Sequence, residues 1–360
     1  MSTSNYTGSA RLLVILASLV VIMAGIKAAS NILIPFLLSV FIAIMCNPLV
    51  ERAAQYRIPK VVAIVLIIGL FVGSGMTLAG LIGNSLNELS ALMPVYKAQL
   101  TTKFSGLIDK LADYNINISS SILMEYLNPS AAMGFAANML SSFGGIMANM
   151  FLIIITVVFM LFEAPSIPRK LHLALKDPEM KIERIDRFLL SVNRYIAIKT
   201  WVSLLTGCLV SLMLWIAGLD FFILWGVLAF LFNYIPNIGS IIAAVPAVLL
   251  AFVQFDPTMA LFIGAGYMAI NTVIGNMVEP RFLGKGLGLS TLVVFLSLIF
   301  WGWLLGTVGM LLSVPLTMII KIALETSEGG KWLSVMLGDA EEAAQRVPVS
   351  PAMESIDTKE

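Results

Sequence analysis

Charge is what this 360-residue sequence has least of: only 12% of its residues are Asp, Glu, Lys or Arg, and they nearly cancel to a net +1. Soluble domains carry roughly 25%, so about half the charge needed for a water-facing surface is missing. Near-neutrality argues against a nucleic-acid partner, because phosphate contacts call for clustered excess Lys and Arg. The single histidine, His172, excludes any site built on two. It sits in a charged stretch away from the apolar serines, which leaves an intramembrane Ser–His hydrolase unsupported. Cys46 and Cys208 lie far apart inside apolar runs, with no disulfide framework or metal knuckle around them. No Gly-x-x-x-x-Gly-Lys-Ser/Thr loop occurs, which argues against ATP-driven work by this chain alone. Asp220 and Asp256 bracket one apolar run; if that run crosses a membrane once, they are too far apart to act as an aspartyl pair. No metal and no cofactor are expected, and the chain does not read as an enzyme.

What fills the sequence instead is apolar: 59% of residues, with a mean hydropathy of +0.95. A membrane helix needs ~20 such residues to cross ~30 Å of hydrocarbon. Charge-free runs of that kind are Ala28–Val50, Val61–Asn87, Ser142–Phe162, Thr200–Leu219, Phe221–Phe255, Pro257–Val278 and Gly286–Ile320. A shorter run, Leu12–Ile26, precedes them and reads as a retained short or tilted helix rather than a signal peptide. Counting each run once predicts an all-α, polytopic membrane protein of about eight spans. Two of the runs are 35 residues long, so each is either a long tilted helix, a broken helix or a re-entrant hairpin.

Basic residues set the expected orientation. Arg52, Arg57 and Lys60 lie in the linker 51–60, and eight more lie between Glu163 and Lys199, whereas 88–141 holds only Lys97, Lys103 and Lys110. The positive-inside rule then puts 51–60 and 163–199 in the cytoplasm and 88–141 outside. Eight crossings place both termini in the cytoplasm. Within 88–141 and just before it, Leu86, Leu89, Leu92, Leu100, Phe104, Leu107 and Leu111 suit amphipathic helices broken at Pro94, lying on the membrane or on a neighbouring subunit. In 163–199, Ile182, Ile185, Leu189, Val192 and Ile196 predict a helix feeding the span at Thr200. Residues 1–335 form one membrane domain; 336–360 is an acidic tail expected to be disordered.

Three features carry candidate function. Asn233, Tyr234, Pro236, Asn237 and Gly239 interrupt an otherwise charge-free run. Pro236 lacks a donor and disfavours helix at Ile235, and unwound backbone at membrane depth requires protein or a water-filled cavity around it. Either a transport element or a plain turn between two shorter spans fits. Asn276, Glu279, Pro280 and Arg281 end a second run, where Glu279 suits proton or cation chemistry or pairing with Arg281, and Arg281 suits an anionic or hydroxyl-rich solute. A snorkelling interfacial turn fits as well. Gly69-x-x-x-Gly73 and Gly302-x-x-x-Gly306, followed by Gly309, allow close helix approach within the chain or between subunits.

The residues Asn-Tyr-Ile-Pro-Asn-Ile-Gly (233–239), Asn-x-x-Glu-Pro-Arg (276–281) and the long stretch 288–317 resemble the autoinducer-2 exporter family. Ile-Leu-Ile-Pro-Phe (32–36), Asn-Pro-Leu-Val (47–50) and Val-Val-Phe-Met-Leu-Phe-Glu (157–163) extend the likeness to roughly residues 10–335. Thr291 and Thr307 stand where many members carry proline. The resemblance implies a bacterial inner-membrane transporter, a homo-oligomer in the lipid bilayer, exporting a small polyhydroxylated signal; some relatives look like sodium/proton antiporters. A hydroxyl-rich neutral solute suits Asn233, Asn237, Asn271 and Asn276, whereas an ion exchanger suits Glu279 but calls for further buried carboxylates. A non-transporting scaffold built on the glycine interfaces is the third reading.

Overall fold

The computed structural model describes residues 8–112, 149–167, 178–236, 238–283, 288–326 and 329–339, with residues 170 and 173. All regular structure among them is helical, as hydrocarbon demands of a backbone that cannot bond to water. Five helical stretches are long and apolar enough to cross a membrane: Ser30–Gln55, Lys60–Lys103, Leu189–Ala217, Pro257–Phe282 and Thr291–Leu311. The chain is a polytopic helical membrane protein. Residues 113–148, the rest of the segment expected outside, and the tail from 340 lie outside the described residues.

Helices α1 (Gly8–Ala28) and α2 (Ser30–Gln55) are interrupted only by Ala29, at φ −85° and ψ 3°. Lys27 stands 4.3 Å over the Trp303 ring. Helix α3 (Lys60–Ala112) comes next, and α4 (Met150–Glu163) returns beside its start, where Lys60 Nζ donates to Phe162 O at 3.1 Å. Just beyond α4, a hydrogen bond from Lys170 and another from Ser166 hold the Glu163 carboxyl below the usual carboxylate range. Helix α5 (Pro178–Ala217) runs unbroken from the basic segment into the apolar one, as expected.

Helix α3 departs from the expected break. Its 53 residues pass through Pro94 without interruption and, at 1.5 Å per residue, extend about 80 Å, far beyond a bilayer. The projecting part lies on its own chain. Ile82, Leu86, Leu89, Met93, Tyr96 and Leu100 alternate at spacings of three and four and pack into the main core, while Leu92 is exposed.

Both 35-residue runs turn back on themselves. In the first, α6 (Phe222–Phe232) and α7 (Gly239–Gln254) have 11 and 16 residues, about 16 and 24 Å, and neither is long enough to cross. The ends of the run meet: Asp220 N–H donates to Gln254 Oε1 at 3.0 Å and Gln254 Nε2 to Gly218 O at 3.1 Å. Asp220 and Asp256 therefore bracket one end of a hairpin rather than two faces of a membrane, so their separation is no argument against a carboxylate pair. Asp220 instead accepts the Tyr96 hydroxyl at 2.9 Å.

Helix α8 (Pro257–Val273) comes between the two and continues through a π turn (Ile274–Val278) into the short α9 (Glu279–Leu283). In the second run, α10 (Thr291–Leu311) reverses at Gly306, whose φ of 66° and ψ of −151° no L residue adopts readily. Trp301 Nε1 donates to Thr317 Oγ1 at 3.0 Å, although 16 residues of straight helix would separate them by about 24 Å. The returning arm, with α11 (Ser313–Thr326), brings Lys321 back to donate to Gly288 O. A short α12 (Lys331–Leu337) covers this base, with Ser290 N–H donating to Leu337 O. Counting these two runs as single crossings does not hold; each re-enters the end it left.

The hairpins enter from opposite ends. Helix α8 runs antiparallel to α5, with Gly266 against Met213 and Glu279 against Lys199. The first hairpin has its base at Gly218 and Asp220, by the end of α5. The second has its base at Gly288 and Leu289, which shares a buried cluster with Val192 and Tyr195 in the earlier half of α5. The first hairpin, α8 and the projecting part of α3 form the largest core, centred on Trp225, Leu228, Phe232, Ala247 and Leu250.

Candidate functional site

The Glu279–Arg281 segment does not end its helix. Pro280 cannot donate, and the chain absorbs the loss by widening: Glu279 N–H bonds to Ile274 O, five residues back, in the π turn. Such turns rotate the next stretch of helix about its axis and recur at functional sites. Here the rotation turns Glu279 towards α5, where Lys199 Nζ lies 2.6 Å from its Oε1. Their side chains are 18% and 5% exposed. Arg281, proposed as a partner, is exposed instead, and Lys199, counted among the cytoplasmic loop charges, is buried.

One turn along α5 the hairpin tip is fastened. Asn233 Nδ2 donates to Ser203 Oγ at 2.9 Å, and Tyr234 Oη to Thr200 Oγ1 at 2.8 Å. Pro236 O accepts Ile238 N–H at 2.7 Å to close the turn. Gly239 is obligatory: a Cβ there would sit 1.8 Å from Phe232 O. Asn237 lies outside the described residues. Asn271 is half-buried and Asn276 is exposed on the π turn. The structure thus brings Asn233, Tyr234 and Glu279 against one face of α5, and places Arg281 and Asn276 outside that constellation.

The hairpin base is held differently. Lys103 Nζ donates to Phe252 O at 3.2 Å, Val253 O at 2.8 Å and Phe255 O, neutralising the carbonyl end of α7. Beside it, a cavity of about 560 Å³ is lined by Ser85, Glu88, Asp220 and Phe221 among others. A second space of about 430 Å³ between α5 and α6 is almost wholly apolar, with exposed Leu204, Leu212 and Trp215 at its rim. It suits acyl chains rather than a hydroxyl-rich solute.

The sequence matches the profile of the AI-2E family of transporters over residues 16–329. The chain belongs to this family. It is 44% identical to the AI-2 transport protein TqsA of Escherichia coli K12 over 91% of this chain and 96% of that one. It is 43% identical to a Haemophilus influenzae protein named for transport, over 92% and 97%, and 42% identical to the E. coli protein YhhT, also named for transport, over 90% and 93%.

In this AI-2E family member the glycines divide by role. Gly302 and Gly309 press the arms of the second hairpin together, since a Cβ at Gly309 would lie 2.0 Å from Trp301 O, and Gly306 makes the turn. These three are a reversal, not a helix–helix stripe. Gly69 and Gly73 meet nothing within 4 Å and are exposed, which removes the reading of close packing within the chain. Sequence reasoning missed Lys199, Thr200 and Ser203. The signal was present: Val192, Tyr195, Lys199, Ser203, Thr206 and Val210 recur at helical spacing, and all six are buried.

Proposed function

We propose that this chain exports a small, neutral, polyhydroxylated signal of the autoinducer-2 type across the bacterial inner membrane. The relative named as an AI-2 transport protein supports the solute class. The observation that carries the reading is the tip of the first hairpin, a polar interruption buried against α5 and held there by two neutral hydrogen bonds. Broken helices in transporters form solute sites in this way. Hydroxyl and amide groups at Asn233, Tyr234, Thr200 and Ser203 can exchange their bonds to one another for bonds to sugar-like hydroxyls at little net change.

The same hairpin offers a route for movement. Its base carries a cation on three carbonyls, a carboxylate bond from Tyr96 and two Gln254 bonds, whereas its tip carries two neutral bonds. The tip swings and the base holds. Gly218 (φ 74°) and Phe221 (φ 58°) lie at the base where the pivot falls. The cation/proton alternative loses support because Lys199 already neutralises Glu279. Exposed Gly69 and Gly73 favour self-association, which gives the homo-oligomer a contact surface.

Purified protein in sealed vesicles tests the reading. Signal flux, with an imposed ion gradient to reveal the energy source, is the expected result. Sodium-dependent proton movement without signal flux makes it an exchanger, and neither makes it a scaffold. Pro236→Ala and Asn237→Leu should insert normally and lose most flux; full flux in both reduces the break to a connector.

A further inference from the structure

Helix α8 carries a polar group that none of the above uses. Tyr267 is only 5% exposed, and its hydroxyl has no hydrogen-bond partner among the described residues. Ten residues separate it from Pro257 at the start of the helix, about 15 Å, half the depth of a ~30 Å hydrocarbon core. An unpaired hydroxyl there costs about 1–3 kcal/mol, and phenylalanine fills the same volume without that cost.

Its surroundings are built to open. Gly264, three residues earlier on the same face, meets Val248 of α7, so Tyr267 shares the side of α8 that packs on the first hairpin. Two small residues of α7, Ala243 and Ala247, belong to the same buried cluster as Tyr267. On the other flank, Gly266 leaves a notch filled by the thioether of Met213, a side chain with several rotamers. Asn271 lies four residues on, continuing the same stripe towards the π turn and Glu279.

We propose that the Tyr267 hydroxyl is a binding group for the transported solute, donating to or accepting from one of its hydroxyls when the hairpin tip draws away from α5 and α7 parts from α8. The proposal rests on the reading of the chain as an exporter of a hydroxyl-rich neutral solute. It places the deep end of the path at mid-membrane, beyond the Asn271 amide, and gives the unpaired hydroxyl its partner during the cycle.

Tyr267→Phe removes one oxygen and nothing else. In vesicles containing the full chain, the half-saturating concentration for the autoinducer-2 furanone should rise about five- to tenfold, while the thermal midpoint stays level or rises. An analogue lacking one hydroxyl should be discriminated against by the natural protein and, for the hydroxyl that Tyr267 meets, no longer by the variant. Unchanged half-saturation with the furanone carried normally overturns the proposal and leaves the export reading standing. A loss of flux that tracks a lower thermal midpoint also overturns it, since a structural hydroxyl would behave so. No saturable flux of the furanone or of three- to six-carbon polyols through the natural protein overturns both.

Discussion

Lys199 on α5 and Glu279 at the start of α9 are 80 residues apart in the chain and 2.6 Å apart in space. Two opposite charges inside an apolar helical bundle are tolerated as a pair and not singly. Removing one partner leaves an uncompensated buried charge, whereas removing both leaves none.

Glu279→Gln and Lys199→Gln should each therefore destabilise the protein, by about 3 kcal/mol. The double variant should recover most of that. Thermal unfolding in mild detergent measures it, and equal losses in single and double variants would refute mutual neutralisation. Flux in a stable double variant then separates the pair's structural part from any part in transport.

The pivot gives opposite expectations for two cross-links. With Cys46 and Cys208 replaced, a disulfide between Asn233→Cys and Ser203→Cys should stop flux, and reduction should restore it. Bridging Tyr96→Cys and Asp220→Cys at the base with a bis-maleimide, long enough to replace the tyrosine ring that now spans the gap, should leave most flux intact. Reversal of these two results would move the mobile element to the base.

Glycine substitutions separate close approach from open surface. Gly239→Ala and Gly309→Ala drive a methyl to within 2.0 Å of a backbone oxygen, and should cost about 3 kcal/mol or more. Gly69→Ala and Gly73→Ala should stabilise α3 by about 0.5–1 kcal/mol each. Leucine at both of these positions should fold but weaken self-association; native mass spectrometry that finds the same subunit number would remove this surface as the interface.

Orientation is testable at two exposed positions. In the cysteine-free background, Glu88→Cys should react with an impermeant thiol reagent in intact cells, and Arg57→Cys only after lysis. The converse pattern would invert the assignment made from the basic residues.

Hydropathy made the membrane class, the helical fold and the break at 233–239 legible, because each depends on the composition of a short window: hydrocarbon excludes charge and open backbone, and proline, asparagine and glycine interrupt helices where they cluster. Motif residues between 233 and 317 made the family legible for the same local reason. Chain direction after a break is not local. The run 221–255 reads alike as a kinked span or a hairpin, and the choice falls to Gln254 bridging to Asp220 and Gly218 and to Lys103 capping α7, contacts between segments up to about 150 residues apart. The stripe of α3 that faces the core, and the burial of Lys199 rather than Arg281, are decided in the same way. Apolar content states how much surface must be hidden from water, and only packing states which neighbour hides it and which charge finds a partner.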